Sequence, residues 1–441
     1  MKLKTPKNAN YCATVVEIKN VIPLNGCDFV VGTSIMGNHV ITGKDTKLGD
    51  KGLYFPVETK LSSDYLKNSN LYKDSTLNAN PNQKGYFELN GRIRCVKFKG
   101  YPSEGLFMPF ASIDFACVRP ESPRLGDSFD ELNGIPICEK YVPKSTKHPN
   151  IQGPGKKGKG RIARESKLIE NQFRFHDDTS QLYRNLHMIH PEDLISITYK
   201  IHGTSFIASN ILCKKSLKWY EKILKKLGIQ IIDTEYSNVY SSRRVIKNSE
   251  LNPDAQHYYN EDIWGIANTE VLPFLQKGMT IYGEAAGFLP GGGYIQNGFD
   301  FDCKPGEHKL FIYRITMTNP QGKVFEFSMR QVQDWCKEKG LIAVPLLYYG
   351  YAKDAFMNIY HLFEEPENFE EKWQAAFLAE IKAKYNEKDC YICKNPKTPE
   401  EGAVIRLEKN ELQAYKCKSL RFLEKETKAL DKGESDLETE N

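Results

Sequence analysis

The residues best suited to chemistry begin at Lys200, which closes an apolar run and is followed at once by Ile-His-Gly-Thr-Ser, ending at Ser205. A lysine amine is a nucleophile only when neutral, and its ordinary pKa of about 10.4 keeps it protonated near neutral pH. Cations held close to it favour the neutral form. Lys416 and Lys418 are two positions apart, so on a strand both point to one face and could supply that charge. Carboxylates beside glycines stand at Glu284, in Ile281-Tyr-Gly-Glu284, and at Glu401, in Glu401-Gly-Ala-Val-Ile-Arg406. A glycine lets backbone approach a ligand, and a carboxylate can hold Mg2+ directly or through water. Taken singly, each has a plain alternative: a strand-edge lysine before a turn, two surface lysines, solvent-facing glutamates.

Together they say more. Lys200-Ile-His-Gly203, Ile281-Tyr-Gly-Glu284, Leu310-Phe-Ile-Tyr-Arg314, Glu401-Gly-Ala-Val-Ile-Arg406 and Lys416-Cys-Lys418 follow one another in an order that resembles the covalent nucleotidyltransferase superfamily of polynucleotide ligases and mRNA capping enzymes. His202, where capping enzymes keep Asp, is similar to the nick-sealing RNA ligases of phages and kinetoplastid editing. The likeness spans roughly Phe173 to Leu423.

That resemblance implies ATP-dependent joining of 3′-hydroxyl and 5′-phosphate RNA ends, with Lys200 taking AMP from ATP and passing it to the 5′ end. In the same terms Lys416 and Lys418 neutralise the α-phosphate, and His202 aids the first step or shapes the turn. Gly203 and Arg243 belong to the nucleotide site, with Arg244 the rival of Arg243, and the long interval from Lys200 to Arg243 departs from the family minimum. Glu401 is the metal-side carboxylate, while Glu284 serves the ribose or a metal-bound water. Phe311 is the adenine platform, with Tyr313 as rival; one of the two is expected in the core and the other in the pocket. ATP and Mg2+, with Mn2+ as substitute, are the implied cofactors, and RNA or an RNA-containing nicked duplex the implied partner. A DNA ligase, a GTP-using capping guanylyltransferase and a non-catalytic RNA-binding protein on a ligase scaffold are the alternative readings.

The elements that must position these residues fall into two groups. Short runs rich in β-branched and aromatic residues recur at Ala13 to Ile18, Asp28 to Ile35, His39 to Thr42, Gly52 to Phe55, Ile93 to Phe98 and Gly105 to Met108, separated by turn signals such as Asn25-Gly26 and Asn90-Gly91. They predict a small sandwich or barrel, and an OB-type barrel is the choice here. Farther on, strand-like segments at Ile195 to Lys200, Phe206 to Asn210, Thr280 to Gly283, Leu310 to Ile315 and Ala403 to Leu407 mix with helical periodicity at Lys214 to Leu227, Ser328 to Lys339 and Phe369 to Tyr385. The expected fold is multi-domain: an N-terminal all-β OB-like barrel, then an α+β adenylyltransferase (ATP-grasp-like ligase) domain with mixed and antiparallel sheets. The expected boundaries are 1–142 for a nucleic-acid-binding domain, 143–160 for a basic Gly/Pro-rich linker, 161–425 for the nucleotidyltransferase domain and 426–441 for an acidic, disordered tail. A barrel that precedes the transferase domain is similar to the Deinococcus and Naegleria branch, with a general likeness around Gly52 to Glu58 and Ser103 to Phe107.

Composition sets the remaining bounds. With 441 residues, 40% apolar, the chain can build two or three cores. The net charge of +5 is modest, but Lys144, Lys147, Lys156, Lys157, Lys159, Arg161 and Arg164 crowd one stretch. Such a stretch suits a polyanion or is simply a solvated linker. Lys97, Lys99, Arg92 and Arg94 are expected to hold the duplex. The Lys214 to Leu227 segment reads as an ordinary amphipathic surface helix, or alternatively as a phosphate-tracking face. Eleven scattered cysteines fit free thiols in a reducing compartment. Cys390 and Cys393 form a lone C-x-x-C with no second pair to complete a zinc site. Gly291-Gly292-Gly293 lacks the lysine and helix of a phosphate loop, and Phe173 to Thr179, with His176, Asp177 and Asp178, has metal-like residue types without ligand spacing. No run has the length of a membrane span and no signal peptide is evident, so a cytoplasmic, unsecreted monomer with no membrane partner is expected.

Overall fold

The computed structural model describes residues 4–116, 123–143, 167–176, 178–248, 251, 261–356, 359 and 369–432. Almost all of the predicted linker, with its crowded basic residues, lies outside them, as does Asp177.

Alternating apolar residues make the N-terminal unit a set of antiparallel ladders. Four strands run in the order Ser128–Phe129, Ala13–Glu17, Lys51–Pro56, Gly105–Pro109. Three more, Ile22–Pro23, Val30–Ile35 and Asn38–Gly43, form a second sheet. Val15, Leu53, Phe55 and Phe129 point inward to a shared core with Tyr65 and Leu66 of the helix Ser63–Asn68. Among the described residues these ladders remain separate sheets and close no barrel.

The C-terminal unit is built on two sheets. One has the order Ser180–Gln181, Gln413–Lys418, Gly402–Leu407, Leu194–Tyr199, Leu346–Tyr351. The other runs Thr234–Ser241, Thr204–Lys214, Met279–Gly287, His308–Thr318, Val324–Glu326, with Ile342–Ala343 added in parallel to His308–Thr318. Only the first sheet carries a parallel pair on its main path, Ser180–Gln181 beside Gln413–Lys418. The helix Phe369–Tyr385 covers the first sheet through Trp373, Phe377 and Ile381. Helices Ile263–Val271 and Met329–Lys339 pack with the second, the latter started by a Ser328/Gln331 capping box and stopped at Gly340 in the left-handed region.

Two expectations need correction. Lys214 ends a strand rather than opening a helix; the helix is Trp219–Lys226, and none of its side chains is buried, so its apolar side does not rest on the core as an ordinary surface helix would. The predicted tail from 426 begins inside the helix Leu420–Asp431. Two acidic residues of this helix have partners in the N-terminal unit: Lys97 meets Glu424 at 2.9 Å, and Arg92 meets Asp431 at 3.4 Å. Residues 433–441 lie outside the described residues. Among the described residues no helix is long and apolar enough to cross a membrane.

Candidate active site

Lys200 sits where the chain leaves one sheet for the other, in the link Lys200-Ile-His-Gly203 between strands Leu194–Tyr199 and Thr204–Lys214. Its backbone N–H donates to the Gly402 carbonyl at 2.9 Å. Gly402 has φ +138, and a Cβ there would lie 2.0 Å from the Cys417 carbonyl, so only glycine lets the neighbouring strand pass this close. The Lys200 Nζ lies 2.6 Å from Glu401 Oε1, whose side chain is wholly buried. Lys418 Nζ stands 4.0 Å from the same oxygen and 3.0 Å from Glu426, and His202 Nδ1 is 3.8 Å from Glu401 Oε2. The His202 ring is held edge-on by Phe299 and Phe422 at 4.7 and 4.8 Å between centroids. Lys200, His202, Glu401 and Lys418 therefore form one cluster.

A cleft opens beside it, with Lys200, Arg243, Glu284, Phe311, Tyr313 and Lys416 in its walls. Strand register explains why. Ser205 pairs with Glu284, and Glu284 with Phe311, so one step across three strands sets these side chains in a row. Glu284 accepts from Gly203 N at 3.2 Å and Ser205 Oγ at 3.3 Å, and a Cβ on Gly203 would meet the Ala285 carbonyl at 2.2 Å. Phe311 and Tyr313 both line the cleft, and Phe311, 4% exposed, also belongs to the core, as one of the two had been expected to. Tyr313 has its hydroxyl 3.2 Å from His176 Nδ1. Arg243 also lines the cleft and is ion-paired with Asp178, whereas Arg244 is 53% exposed, 3.7 Å from the same carboxylate. The long interval before Arg243 is harmless, because the insertion sits at the far end of an antiparallel hairpin whose ladder returns Ser241 beside Ile207.

No family model matches this chain, and no curated protein matches it. Solved structures do. The fold is shared with an RNA ligase of Naegleria gruberi. Three forms of that ligase, a mutant with AMP and Mn, another with ATP and Mn, and one with PPi, superpose with TM-scores of 0.55, 0.57 and 0.54. Each is 15% identical and covers 94% of this chain and 98% of its own. At that identity the likeness is one of fold.

Residues without an assigned role in the sequence complete the site. Burial alone raises the Asp178 carboxyl, yet Arg243, with Lys140, Lys416 and Arg244, holds it below its ordinary value. His176 and Thr179 line the cleft. Their metal-like company in the sequence was a signal, but no spacing rule tied it to Tyr313 or Arg243. Among the described residues no group of three or more His, Cys, Asp or Glu could hold a metal. A divalent ion bound mainly by phosphate oxygens and water needs no such cage; of the two expected carboxylates, Glu284 lines the cleft, while Glu401 is wholly buried against Lys200. Cys390 and Cys393 are buried in the core, and the hydrogen bond between them lowers the Cys390 thiol below its ordinary value and raises that of Cys393.

The basic residues expected to grip a duplex are differently employed. The Arg92 side chain is 1% exposed and pairs with Glu58 at 3.3 Å and Asp431 at 3.4 Å. It also donates to the Thr427 carbonyl at 3.0 Å. Arg94 reaches Asp431 at 3.5 Å, Lys97 pairs with Glu424, and Lys99 donates to the Gly26 carbonyl. Three of the four hold helix Leu420–Asp431 against the N-terminal unit.

Proposed function

We propose that this chain is an ATP-dependent RNA ligase that joins 3′-hydroxyl and 5′-phosphate RNA ends, at nicks in duplexes, through a lysyl-AMP intermediate. One observation carries the reading: Lys200 touches Glu401 and opens onto a cleft walled by Glu284, Phe311, Arg243 and Lys416, in a fold shared with an RNA ligase solved with ATP and Mn.

The Lys200 amine attacks the α-phosphorus of ATP, forming an N–P bond as the bond to pyrophosphate breaks. Its proton must leave first, and Glu401 Oε1, 2.6 Å away, is positioned to take it. Lys416, with Lys418 beyond Glu401, offsets charge that builds on the phosphate oxygens. Phe311 offers a ring face to adenine, and Glu284 and Arg243 offer polar contacts to the ribose or the RNA end. Mg2+, or Mn2+ in its place, would be held in part through water by Glu284 or Glu401 and would supply further neutralisation of the phosphates. A 5′-phosphate oxygen then displaces Lys200 from AMP, and a 3′-hydroxyl displaces AMP to close the phosphodiester. In this reading the N-terminal β unit, taken as OB-like, meets the duplex through surfaces other than Arg92, such as the half-exposed Phe98 ring.

Incubation with ATP labelled at the α-phosphate and denaturing electrophoresis tests the first step. Wild type carries an acid-labile label and Lys200→Ala carries none; an unlabelled wild type overturns the proposal. Nicked duplexes that differ only in their 2′-hydroxyls test the second: equal sealing of all-DNA nicks makes the chain a DNA ligase, and preferential labelling by GTP makes it a capping enzyme.

A further inference from the structure

The hairpin joining strands Thr204–Lys214 and Thr234–Ser241 carries the helix Trp219–Lys226 beyond its paired end. At 3.6 residues per turn, Trp219, Ile223, Leu227, Tyr220 and Leu224 fall within about 140° of the circumference. This face is open: Trp219 is 75% exposed, Leu227 71%, and Ile232, just beyond the helix, 79%. Lys218, Lys222, Lys225 and Lys226 fall within about 100° on the other side. Between Lys214 and Thr234 the only acidic residues are Glu221 and Asp233, paired with Lys215 at 2.9 Å and Lys225 at 2.6 Å. Lys214, Lys218, Lys222 and Lys226 remain as excess positive charge around an uncovered apolar stripe.

We propose that this hairpin is a membrane-surface contact, in which the apolar face of the helix lies in the headgroup region of an anionic bilayer and the flanking lysines meet lipid phosphates and carboxylates. Charge complementarity and the apolar stripe choose the occupant together. A nucleic acid answers the lysines but leaves Trp219, Ile223 and Leu227 in water. A bilayer surface covers both at once and demands no shape match. The expectation of no membrane partner rested on the lack of a spanning run, and a surface contact needs none. Strand Thr204–Lys214 starts beside the cleft, and eleven residues at about 3.3 Å each set the hairpin tip roughly 35 Å away, so a docked helix leaves the Lys200 cleft open.

Flotation of the full chain with vesicles of phosphatidylcholine, alone or with phosphatidylserine, tests this. Co-flotation is expected only with phosphatidylserine present, and is expected to weaken as salt rises. Trp219→Ser combined with Ile223→Ser abolishes it. Lys222→Ala combined with Lys226→Ala lowers vesicle affinity roughly 30-fold at low salt. Both variants keep the wild-type melting temperature, which checks the fold. Absence of co-flotation at low salt overturns the proposal, as does co-flotation that survives the Trp219/Ile223 change. Without vesicle binding, loss of duplex-RNA affinity in the lysine variant assigns the face to nucleic acid, and a dimer that the Trp219/Ile223 change dissociates assigns it to a second copy; either result also overturns the proposal.

Discussion

Arg92 in the N-terminal unit and Lys416 in the C-terminal unit are both buried cations, 3% and 5% exposed, yet their surroundings differ in kind. Arg92 is ringed by the chain's own acceptors: Glu58, Asp431, the Thr427 carbonyl and, at 5.2 Å, the face of Tyr141. Lys416 stands in a cleft wall with Lys200, Phe311 and Arg243. A charge run in a sequence reports only that a cation is present. Whether it grips a ligand or another part of the protein depends on what the fold brings to it. Here the N-terminal cations fasten the helix that follows Lys418, and thus support the cluster around Lys200 from outside.

Arg92→Ala removes a buried guanidinium with its hydrogen bonds to Glu58, Asp431 and the Thr427 carbonyl and is expected to cost roughly 1.5–3 kcal/mol of stability, read by denaturant unfolding of the full chain. If stability hardly changes while affinity for a nicked duplex collapses, Arg92 is an RNA contact after all. Lys416→Ala is expected to slow ATP-dependent labelling by about 10²–10³-fold at a temperature where circular dichroism shows the variant folded; normal labelling with a lowered unfolding midpoint would make Lys416 structural.

A third test concerns pH. Burial first, then Glu426, push the Glu58 carboxyl up to about 8, against the lowering influence of Arg92 and Lys418. The folded chain thus holds this proton more tightly than the unfolded one. That stabilisation is complete below the ordinary value of 4.5 and is lost as pH rises through about 8. Glu58→Gln is expected to flatten this dependence and raise the melting temperature by a few degrees at alkaline pH, as scanning calorimetry across the range can check. The smallest effect belongs to Lys97→Ala, whose ion pair with Glu424 is partly exposed and is expected to contribute less than about 1 kcal/mol in the same unfolding assay.

Much of the candidate site is legible in the sequence. Lys200, Glu284, Phe311, Glu401, Lys416 and Lys418 stand in short segments where alternation marks the strand and a glycine marks the close approach, and both signals are local. The helix predicted over Phe369 to Tyr385 is helical from Phe369, the first residue described there, and ends at Tyr385, with apolar residues recurring every three or four positions along it. The choice of Arg243 over Arg244 was not legible, because adjacent arginines differ only in which one a hairpin ladder turns toward Asp178.

By itself, then, the sequence determined local conformation and the order of reactive groups, since period and turn chemistry act over a few residues. Only the tertiary structure decided which charges meet. Arg92 finds Asp431 339 positions away, Phe311 and Tyr313 both face the cleft, and the apolar side of Trp219–Lys226 faces outward instead of resting on a core. Such pairings depend on how separate strands and helices are brought side by side, and no local pattern of residues encodes them.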